Sequence, residues 1–206
     1  MITLDMPQRS EEWFLERCGN PGASNFNKIV TMKGEPSKQG VGYMHQLAAE
    51  AITGKHEETY TSKNMKEGIE REPECRCLYE FIADVAVEEV GIIYPDEDKK
   101  YHCSPDGLII NGVAKPRGLE MKNVIPKTQV EYLLANRVPP VYYQQIQGSM
   151  LITGFDEWDF MSYSPGLPPL IISVKRDRQF IKKLKDELNK FVYALSAMIK
   201  ELKEIN

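Results

Sequence analysis

The chain has 206 residues, of which 42% are hydrophobic and 27% are charged. That balance is typical of a soluble globular protein and excludes a disordered or collagen-like chain, while the length predicts a single domain over 1–206. There is no apolar run of about 18 residues, the minimum for a transmembrane helix, and no basic segment followed by an apolar one at the start. We therefore expect a cytosolic protein that does not enter a membrane.

The charge balance is slightly acidic, with 26 Lys and Arg against 30 Asp and Glu, a formal net charge of −4. A nucleic-acid-binding domain is usually basic, so the composition argues against a generic nucleic-acid binder. It leaves open a local basic track, or a metal-assisted active site, which concentrates carboxylates. The four cysteines form no C-x-x-C pair, which argues against a structural zinc or iron–sulfur site and favours reduced thiols.

The first half of the chain is predicted to be mainly helical. Helices are predicted over 9–16, 41–53 and 63–84. Between the first two, residues 19–22 predict a turn, and Ser24, a favoured N-cap residue, predicts the start of another helix. Residues 31–40 and 55–62 are polar and predict loops. Pro73 lies within the third helical segment, where it predicts a kink or a new helix start.

Residues 85–122 alternate apolar and turn residues and predict the strands of a meander, with Asn111-Gly112 as a hairpin turn. The remaining predicted elements are helices over 127–136, 140–152 and 178–204 and strands over 156–163 and 169–175. This order predicts an α/β (α+β) domain with a central mixed sheet flanked by helices. The last helix, with its regularly spaced apolar residues, is expected to be part of the same domain.

Two carboxylates and an amine are predicted to meet within the meander. Asp106 lies at the start of one strand, and Glu120 and Lys122 share one face of another because side chains alternate along a strand. Such a group suits metal-assisted phosphodiester hydrolysis, in which carboxylate oxygens hold Mg²⁺ and an amine orients a water molecule. The alternative is an ordinary surface hairpin with a salt bridge between Glu120 and Lys122, since this spacing also occurs in unrelated proteins.

Further motifs resemble a known family. In chain order they are EEWFLERCGNPGAS, GIEREPECRCLYEF, CSPDGL, LEMKN and YYQQIQGSMLITG. Together they resemble the PD-(D/E)xK nuclease superfamily and, more narrowly, the phage lambda exonuclease family of YqaJ-type viral recombinase nucleases. The resemblance runs nearly from end to end. It implies a restriction-endonuclease-like domain.

The resemblance also implies roles for the clustered residues. Asp106, Glu120 and the backbone carbonyl of Met121 are expected to bind Mg²⁺, with Mn²⁺ as a substitute. Lys122 is expected to position or activate the attacking water. Glu72 is expected to complete the shell around metal and water. The alternative is that this carboxylate, beside Pro73 on a charged helix, is plainly solvated.

The glutamine motif offers two candidates, Gln145 and Gln147. They are two positions apart on a predicted helix, so they cannot both face the metal. The resemblance favours Gln145 as the residue that hydrogen-bonds the water or the scissile phosphate, with Gln147 as the alternative.

A pocket for a 5′-terminal phosphate is also implied. Arg17 and Ser24 match the residues that hold this phosphate in the family, and an arginine fork with a helix N-terminus is a good anion site. Ser104 is expected to join them, and Lys127 or Thr128 more weakly. The alternative for Arg17 is a surface ion pair with a glutamate of its own helix.

The resemblance therefore implies a Mg²⁺-dependent 5′-to-3′ exonuclease that digests linear double-stranded DNA from a 5′-phosphorylated end. Its 3′ tails would serve a single-strand annealing protein, and three subunits would form a ring around DNA. The expected setting is a bacterial host, with the gene on a phage or mobile element.

Met32 is an apolar candidate for a strand-separating wedge in the loop 31–40. The alternative is that this loop is plain and flexible. The alternative functions are an end-independent endonuclease and a non-catalytic DNA-binding recombination scaffold.

Overall fold

The computed structural model describes residues 1–56 and 63–205, with side chains in the second range from residue 67 onward. Its helices are α1 (Glu11–Arg17), α2 (Gly40–Thr53), α3 (Lys63–Glu70), α4 (Glu72–Ala83), α5 (Pro126–Ala135), α6 (Tyr143–Thr153) and α7 (Arg178–Glu204). Two 3₁₀ helices cover Ala23–Lys28 and Pro140–Tyr142. None of the helices in these ranges has the length and apolarity to cross a membrane.

The strands form two sheets. They are β1 (Ile2–Leu4), β2 (Ile92–Tyr94), β3 (Gly107–Ile109), β4 (Arg117–Asn123), β5 (Glu157–Tyr163) and β6 (Leu170–Lys175). The first two strands pair antiparallel, and the other four form a sheet in the order β3-β4-β5-β6. Only the β4–β5 pair of that sheet is parallel. A mixed sheet flanked by helices confirms the predicted fold class.

Helices cover both faces of the four-stranded sheet. Leu119 and Met121 of β4 are buried in one apolar cluster with residues of α4. Phe160 of β5, which is in register with Glu120, is buried in another cluster with Ile146 of α6. Because side chains alternate along β4, Glu120 and Lys122 face the α6 side. The structure therefore confirms the predicted alternation of side chains along β4.

The largest apolar cluster joins α2, α7 and the first 3₁₀ helix. Its buried members on α2 and α7 are Tyr43, Leu47, Ala48, Phe180, Leu184, Leu188, Phe191 and Leu195. The helix α7 begins after Asp177, whose carboxylate accepts hydrogen bonds from two backbone N–H groups of the first turn. Its apolar stripe packs within the same chain, as the spacing predicts.

The helix predicted to start at Ser24 is present, but Ser24 is not its N-cap. The segment is a 3₁₀ helix that starts at Ala23, and Ser24 is its second residue with an exposed side chain. The reason is the tethering of the preceding turn: Gly22 forms a bridge with His102, and the Ala23 N–H donates to the His102 carbonyl over 2.9 Å. This fixes the chain's direction before the helix begins.

The predicted helix over 63–84 is two helices, α3 and α4, which are separated at Arg71. Pro73 is the second residue of α4, where a missing backbone N–H costs little, so the predicted helix start is correct and the kink is not seen. The predicted loop over 55–62 lies for the most part outside the described residues.

The predicted meander is shorter than expected. In the region 85–122 the strands are β2, β3 and the greater part of β4. Asn111-Gly112 is not a two-residue hairpin turn, because the register pairs Ile109 with Arg117 and leaves 110–116 as the connection. Gly112 still has a left-handed φ of 71°. The strand β1 was not predicted, since a three-residue strand carries almost no periodic signal.

The loop 31–40 is hydrogen-bonded within itself. Val30 and Pro36 form a bridge, and the Thr31 N–H donates to the Glu35 carbonyl over 2.8 Å. Met32 is exposed at this loop.

Candidate active site

Asp106 lies opposite Glu120 at the open end of the β3–β4 pair. Gly107 pairs with Leu119, which places the residue before β3 beside Glu120. The Met121 N–H donates to Oδ2 of Asp106 over 2.6 Å. Burial and the neighbouring Glu120 charge raise the pKa of Asp106, with partial compensation from Lys122. Two carboxylates that repel each other in this way are a favourable setting for a cation.

Lys122 and Gln145 both contact Glu120. The Lys122 Nζ lies 2.5 Å from Oε1 of Glu120, and the Gln145 Nε2 donates to the same oxygen over 2.7 Å. Burial alone would lower the pKa of Lys122, but Glu120 and Asp106 raise it above its usual value. The Lys122 ammonium also lies 5.2 Å from the ring centroid of Tyr142. Glu120 is 2% exposed, and an ammonium and an amide group share its Oε1.

Gln147 has a different environment from Gln145. Its Oε1 accepts from the Asp177 N–H over 2.8 Å, and its Nε2 donates to the Lys175 carbonyl over 2.9 Å. It therefore joins α6 to the connection between β6 and α7. Of the two glutamines, Gln145 is the one that the structure brings to the carboxylates.

Glu72 is paired rather than solvated. Arg9 holds it with two hydrogen bonds, Nη1 to Oε2 over 2.9 Å and Nη2 to Oε1 over 2.5 Å. Glu72, Arg9 and Asp106 line one cavity of about 360 Å³, together with Arg76. Arg9 has a left-handed φ of 69° that is unusual for a residue with a side chain. Sequence reasoning missed Arg9, which stands in a segment without a motif.

A second cavity has a volume of about 110 Å³. Arg17, Ser24 and Ser104 line it together with Gln145. The Ser104 Oγ is buried and makes no hydrogen bond to a described residue. With Gln8 and Ser149, the lining offers a guanidinium, three hydroxyls and two amides, a set that can hold an oxyanion.

Arg17 is held in place by an aromatic ring and a histidine. Its guanidinium carbon lies 3.8 Å from the ring centroid of Trp13, and its Nε donates to Nε2 of His102 over 3.0 Å. Burial lowers the pKa of Arg17 to about 10. Burial and the adjacent Arg17 charge also lower the pKa of His102 well below its usual range, so the imidazole is neutral and can accept.

The alternative of a surface ion pair for Arg17 is wrong for the described residues. Glu16 instead binds Lys99, whose Nζ lies 2.7 Å from its Oε1. The acidic residue Glu50 contributes to the electrostatics of Arg17 from α2, not from its own helix. Sequence reasoning missed His102, although its position two residues before Ser104, in the segment that ends at Asp106, was a usable signal.

The structure does not bring Lys127 to the pocket. Lys127 is an exposed residue in the first turn of α5, and neither it nor Thr128 is among the described residues that line the cavity of Arg17. The reason is the short connection after Asn123, which starts α5 directly at Pro126. The expectation of a weak contribution from these two residues to the pocket is therefore not met.

The residues present fit a hard divalent cation. Asp106 and Glu120 offer carboxylate oxygens on adjacent strands, and the cation would relieve the repulsion that raises the Asp106 pKa. Met121, whose carbonyl is the third expected ligand, lies between Glu120 and Lys122 in the sequence and donates its N–H to Asp106.

A protein-family model and several solved structures match this chain. The model of the YqaJ-like viral recombinase domain matches residues 12–156. An alkaline exonuclease (LHK-Exo) from Laribacter hongkongensis is 30% identical, with a TM-score of 0.84 over 95% of this chain and 97% of that chain. The same values hold for the structure of LHK-Exo in complex with dAMP.

A phage-related exonuclease from Haemophilus somnus 129PT is 13% identical, with a TM-score of 0.67 over 89% of this chain and 96% of that chain, and shares the fold. No curated protein sequence matches significantly.

Proposed function

The chain belongs to the family of YqaJ-like viral recombinase domains, and we propose on that premise that it is a Mg²⁺-dependent 5′-to-3′ exonuclease on linear double-stranded DNA. One observation carries the proposal. Arg17, Ser24 and Ser104 line a cavity that also contains Gln145, and Gln145 in turn holds the Glu120 carboxylate. An anion pocket therefore adjoins the candidate catalytic group.

The spacing between the two sites supports removal of one nucleotide at a time. Ser104 and Asp106 are two residues apart, so they are separated by at most about 7 Å of chain. That distance is comparable to the spacing of successive phosphates along a DNA strand. A 5′-phosphate beside Ser104 would place the next phosphate near Asp106. The structure of the relative with dAMP supports the same product class.

Each residue of the site has a proposed role. Asp106, Glu120 and the Met121 carbonyl would hold Mg²⁺, with Mn²⁺ as a substitute. When bound, the cation supplies Lewis-acid activation of the phosphodiester and charge neutralisation. Lys122, which carries a proton on Nζ, orients the attacking water and offsets the negative charge that develops on the phosphate. Gln145 holds the Glu120 carboxylate in position and donates its second amide proton towards the water or phosphate.

Glu72 is proposed to complete the site from α4. Its pairing with Arg9 keeps the carboxylate at the wall of the cavity that contains Asp106. Arg17 would bind the 5′-phosphate through its two Nη groups, because its hydrogen bond to His102 uses only Nε. Because this contact concerns a phosphate and not a base, the enzyme would act on ends irrespective of sequence.

The wider context is also proposed. The product would be a 3′ single-stranded tail, used by a single-strand annealing protein in recombination. Three copies of the chain would form a ring around DNA, which reconciles a net charge of −4 with DNA binding because only the channel needs to be basic. The family membership supports an origin on a phage or mobile element in a bacterial host.

The test uses linear double-stranded DNA labelled at its 3′ ends, with Mg²⁺, and compares 5′-phosphate ends, 5′-hydroxyl ends and a closed circle. We expect degradation that needs an end and is faster with a 5′-phosphate, together with release of mononucleotides. Cutting of the closed circle would replace this proposal by an end-independent endonuclease. If neither the wild type nor Asp106→Ala degraded DNA while both still bound it, the result would favour a non-catalytic recombination scaffold.

A further inference from the structure

Cys18, Glu50 and His56 come together at a place away from the catalytic carboxylates. Cys18 is the residue that ends α1, Glu50 lies in the last turn of α2, and His56 follows α2 by two residues beyond its C-cap, Gly54. The thiol sulfur, one carboxylate oxygen and one imidazole nitrogen all lie within 4.8 Å of one another. We propose that these three side chains bind a Zn²⁺ ion.

The distances are close to those that Zn²⁺ requires. Zinc binds thiolate sulfur at about 2.3 Å and imidazole or carboxylate atoms at about 2.0–2.2 Å, which places two ligands of a tetrahedral ion about 3.3–3.8 Å apart. The Nδ1 of His56 already lies 3.2 Å from Oε1 of Glu50. The remaining separations are at most 4.8 Å and need to contract by no more than about 1.5 Å, which rotation of the cysteine and histidine side chains can supply.

The surroundings hold these side chains in place. The Gly19 N–H donates to Oε2 of Glu50 over 3.2 Å, and the Gln46 Nε2 donates to Oε1 over 3.1 Å. The ring of His56 stacks on Phe14, with centroids 5.2 Å apart and planes 23° from parallel. Partners of this kind orient the ligands of metal sites and are a usual part of them.

A glycine permits the close approach of the two helices that carry the ligands. Gly19 has a φ of 72°, and a Cβ at this position would lie 2.7 Å from the Cβ of Ala51. The segment after Cys18 can therefore touch α2 only because residue 19 has no side chain. The contact brings Cys18 to Glu50.

The donor set selects zinc rather than magnesium. Zn²⁺ binds a soft thiolate, a borderline imidazole and a carboxylate oxygen together, whereas Mg²⁺ takes oxygen donors and retains water. Burial and Glu50 raise the pKa of the Cys18 thiol, so binding would release its proton to solvent. Three donors leave a fourth coordination position for water. Without a metal, Nδ1 of His56 lies 3.2 Å from Oε1 of Glu50, beside the partly buried thiol of Cys18.

The site would position Arg17. Cys18 directly follows Arg17, and a small cavity of about 30 Å³ is lined by Arg17, His102, Glu50 and His56. Zinc would tie the end of α1 to α2 and restrain the backbone that carries the arginine. This consequence rests on the proposed phosphate pocket, whereas metal binding itself does not.

The test uses Co²⁺ as an optical probe of the intact chain, in excess Mg²⁺ to occupy the oxygen-ligand site. We expect one equivalent of Co²⁺ to produce a thiolate-to-cobalt charge-transfer band that Zn²⁺ abolishes. Cys18→Ser should abolish the band, and Cys77→Ser, which changes an exposed cysteine on α4, should retain it. Absence of the band in the wild type, its persistence in Cys18→Ser or its loss in Cys77→Ser would overturn the proposal.

A second variant and a second measurement guard against misfolding. His56→Gln should keep the fold, as judged by circular dichroism, and weaken Co²⁺ binding by about 10-fold or more. Zn²⁺ should raise the melting temperature of the wild type and not that of Cys18→Ser. An equal rise in both proteins would contradict the site. Because none of these measurements contains DNA, failure of the exonuclease proposal would leave them unchanged.

Discussion

The Nε–H of Arg17 donates to Nε2 of His102 over 3.0 Å, across 85 residues of sequence. The bond requires a neutral imidazole with its proton on Nδ1, because Nε2 must accept. Burial and the arginine charge both lower the pKa of His102, so this state persists at neutral pH. The same bond fixes the guanidinium of Arg17, which lines the cavity of Ser24 and Ser104.

His102→Phe should reduce the preference for 5′-phosphorylated DNA. Phenylalanine keeps an aromatic ring at this position but cannot accept the hydrogen bond from Arg17. A hydrogen bond to a charged group contributes about 1.5–3 kcal/mol, which corresponds to about a 10- to 100-fold change in the preference. The measurement is the ratio of kcat/KM for 5′-phosphate and 5′-hydroxyl ends. His45→Phe, at an exposed position of α2, is the control and should leave the ratio unchanged. An unaltered ratio in His102→Phe would mean that His102 does not orient Arg17.

Asp106→Asn should stabilise the metal-free protein at pH 8. The folded-state pKa of Asp106 is raised, so the charged carboxylate opposes folding above that pKa. The free energy of unfolding of the metal-free wild type, measured with a chelator present, should therefore increase as the pH falls from the raised pKa towards the unfolded value near ~4. Over the same pH range, the extra stability of Asp106→Asn should shrink. Melting temperatures at pH 8 and pH 5 check this. Asp186→Asn, on the exposed side of α7, should show no such dependence.

Gln145→Leu and Gln147→Leu should separate activity from stability. Gln145→Leu removes the amide from Glu120 and should lower hydrolysis by about 10- to 1,000-fold with little change in melting temperature. Gln147→Leu leaves the partly buried Asp177 N–H and Lys175 carbonyl without their partner, at a cost of up to about 1–3 kcal/mol for each group. It should therefore melt earlier. The reverse pattern would exchange the roles of the two glutamines.

Lys122→Met should nearly abolish hydrolysis while DNA binding persists. The side chain keeps its length but loses the charge beside Glu120, and removal of one group that stabilises transition-state charge costs about 10²–10³ in rate. Single-turnover hydrolysis and DNA binding in a chelator are the two measurements. Lys115→Met, at an exposed position of the β3–β4 connection, is the control. Comparable hydrolysis by Lys122→Met and wild type would exclude a catalytic role.

Gly148→Ala should destabilise the fold next to the phosphate pocket. A Cβ at this position of α6 would lie 2.4 Å from Cδ2 of Phe26, in the 3₁₀ helix that also carries Ser24. Overpacking of this kind costs about 1–3 kcal/mol. Denaturant unfolding measures the loss. Gly42→Ala, in α2 and with open space around it, should instead be neutral or stabilising.

The local part of the architecture was predictable because its signal lies in neighbouring residues. The apolar spacing of α7 and the alternation along β4 are repeated several times within one element, so the helix and the shared face of Glu120 and Lys122 could be deduced directly. Pro73 likewise predicted a helix start from its own chemistry. The nuclease fold came from the order of the motifs, which the family match confirms.

The tertiary structure decided which residues share a site, because those contacts join segments distant in sequence. Gln145 and Gln147 are equivalent in the motif, and only the packing of α6 on β4 directs the first to Glu120. The Arg9–Glu72 pair spans 63 residues, and the bridge from Gly22 to His102 turned an expected N-cap at Ser24 into a 3₁₀ helix. Local sequence periodicity determines an element and its faces, whereas the position of its partner depends on packing free energy summed over the whole chain.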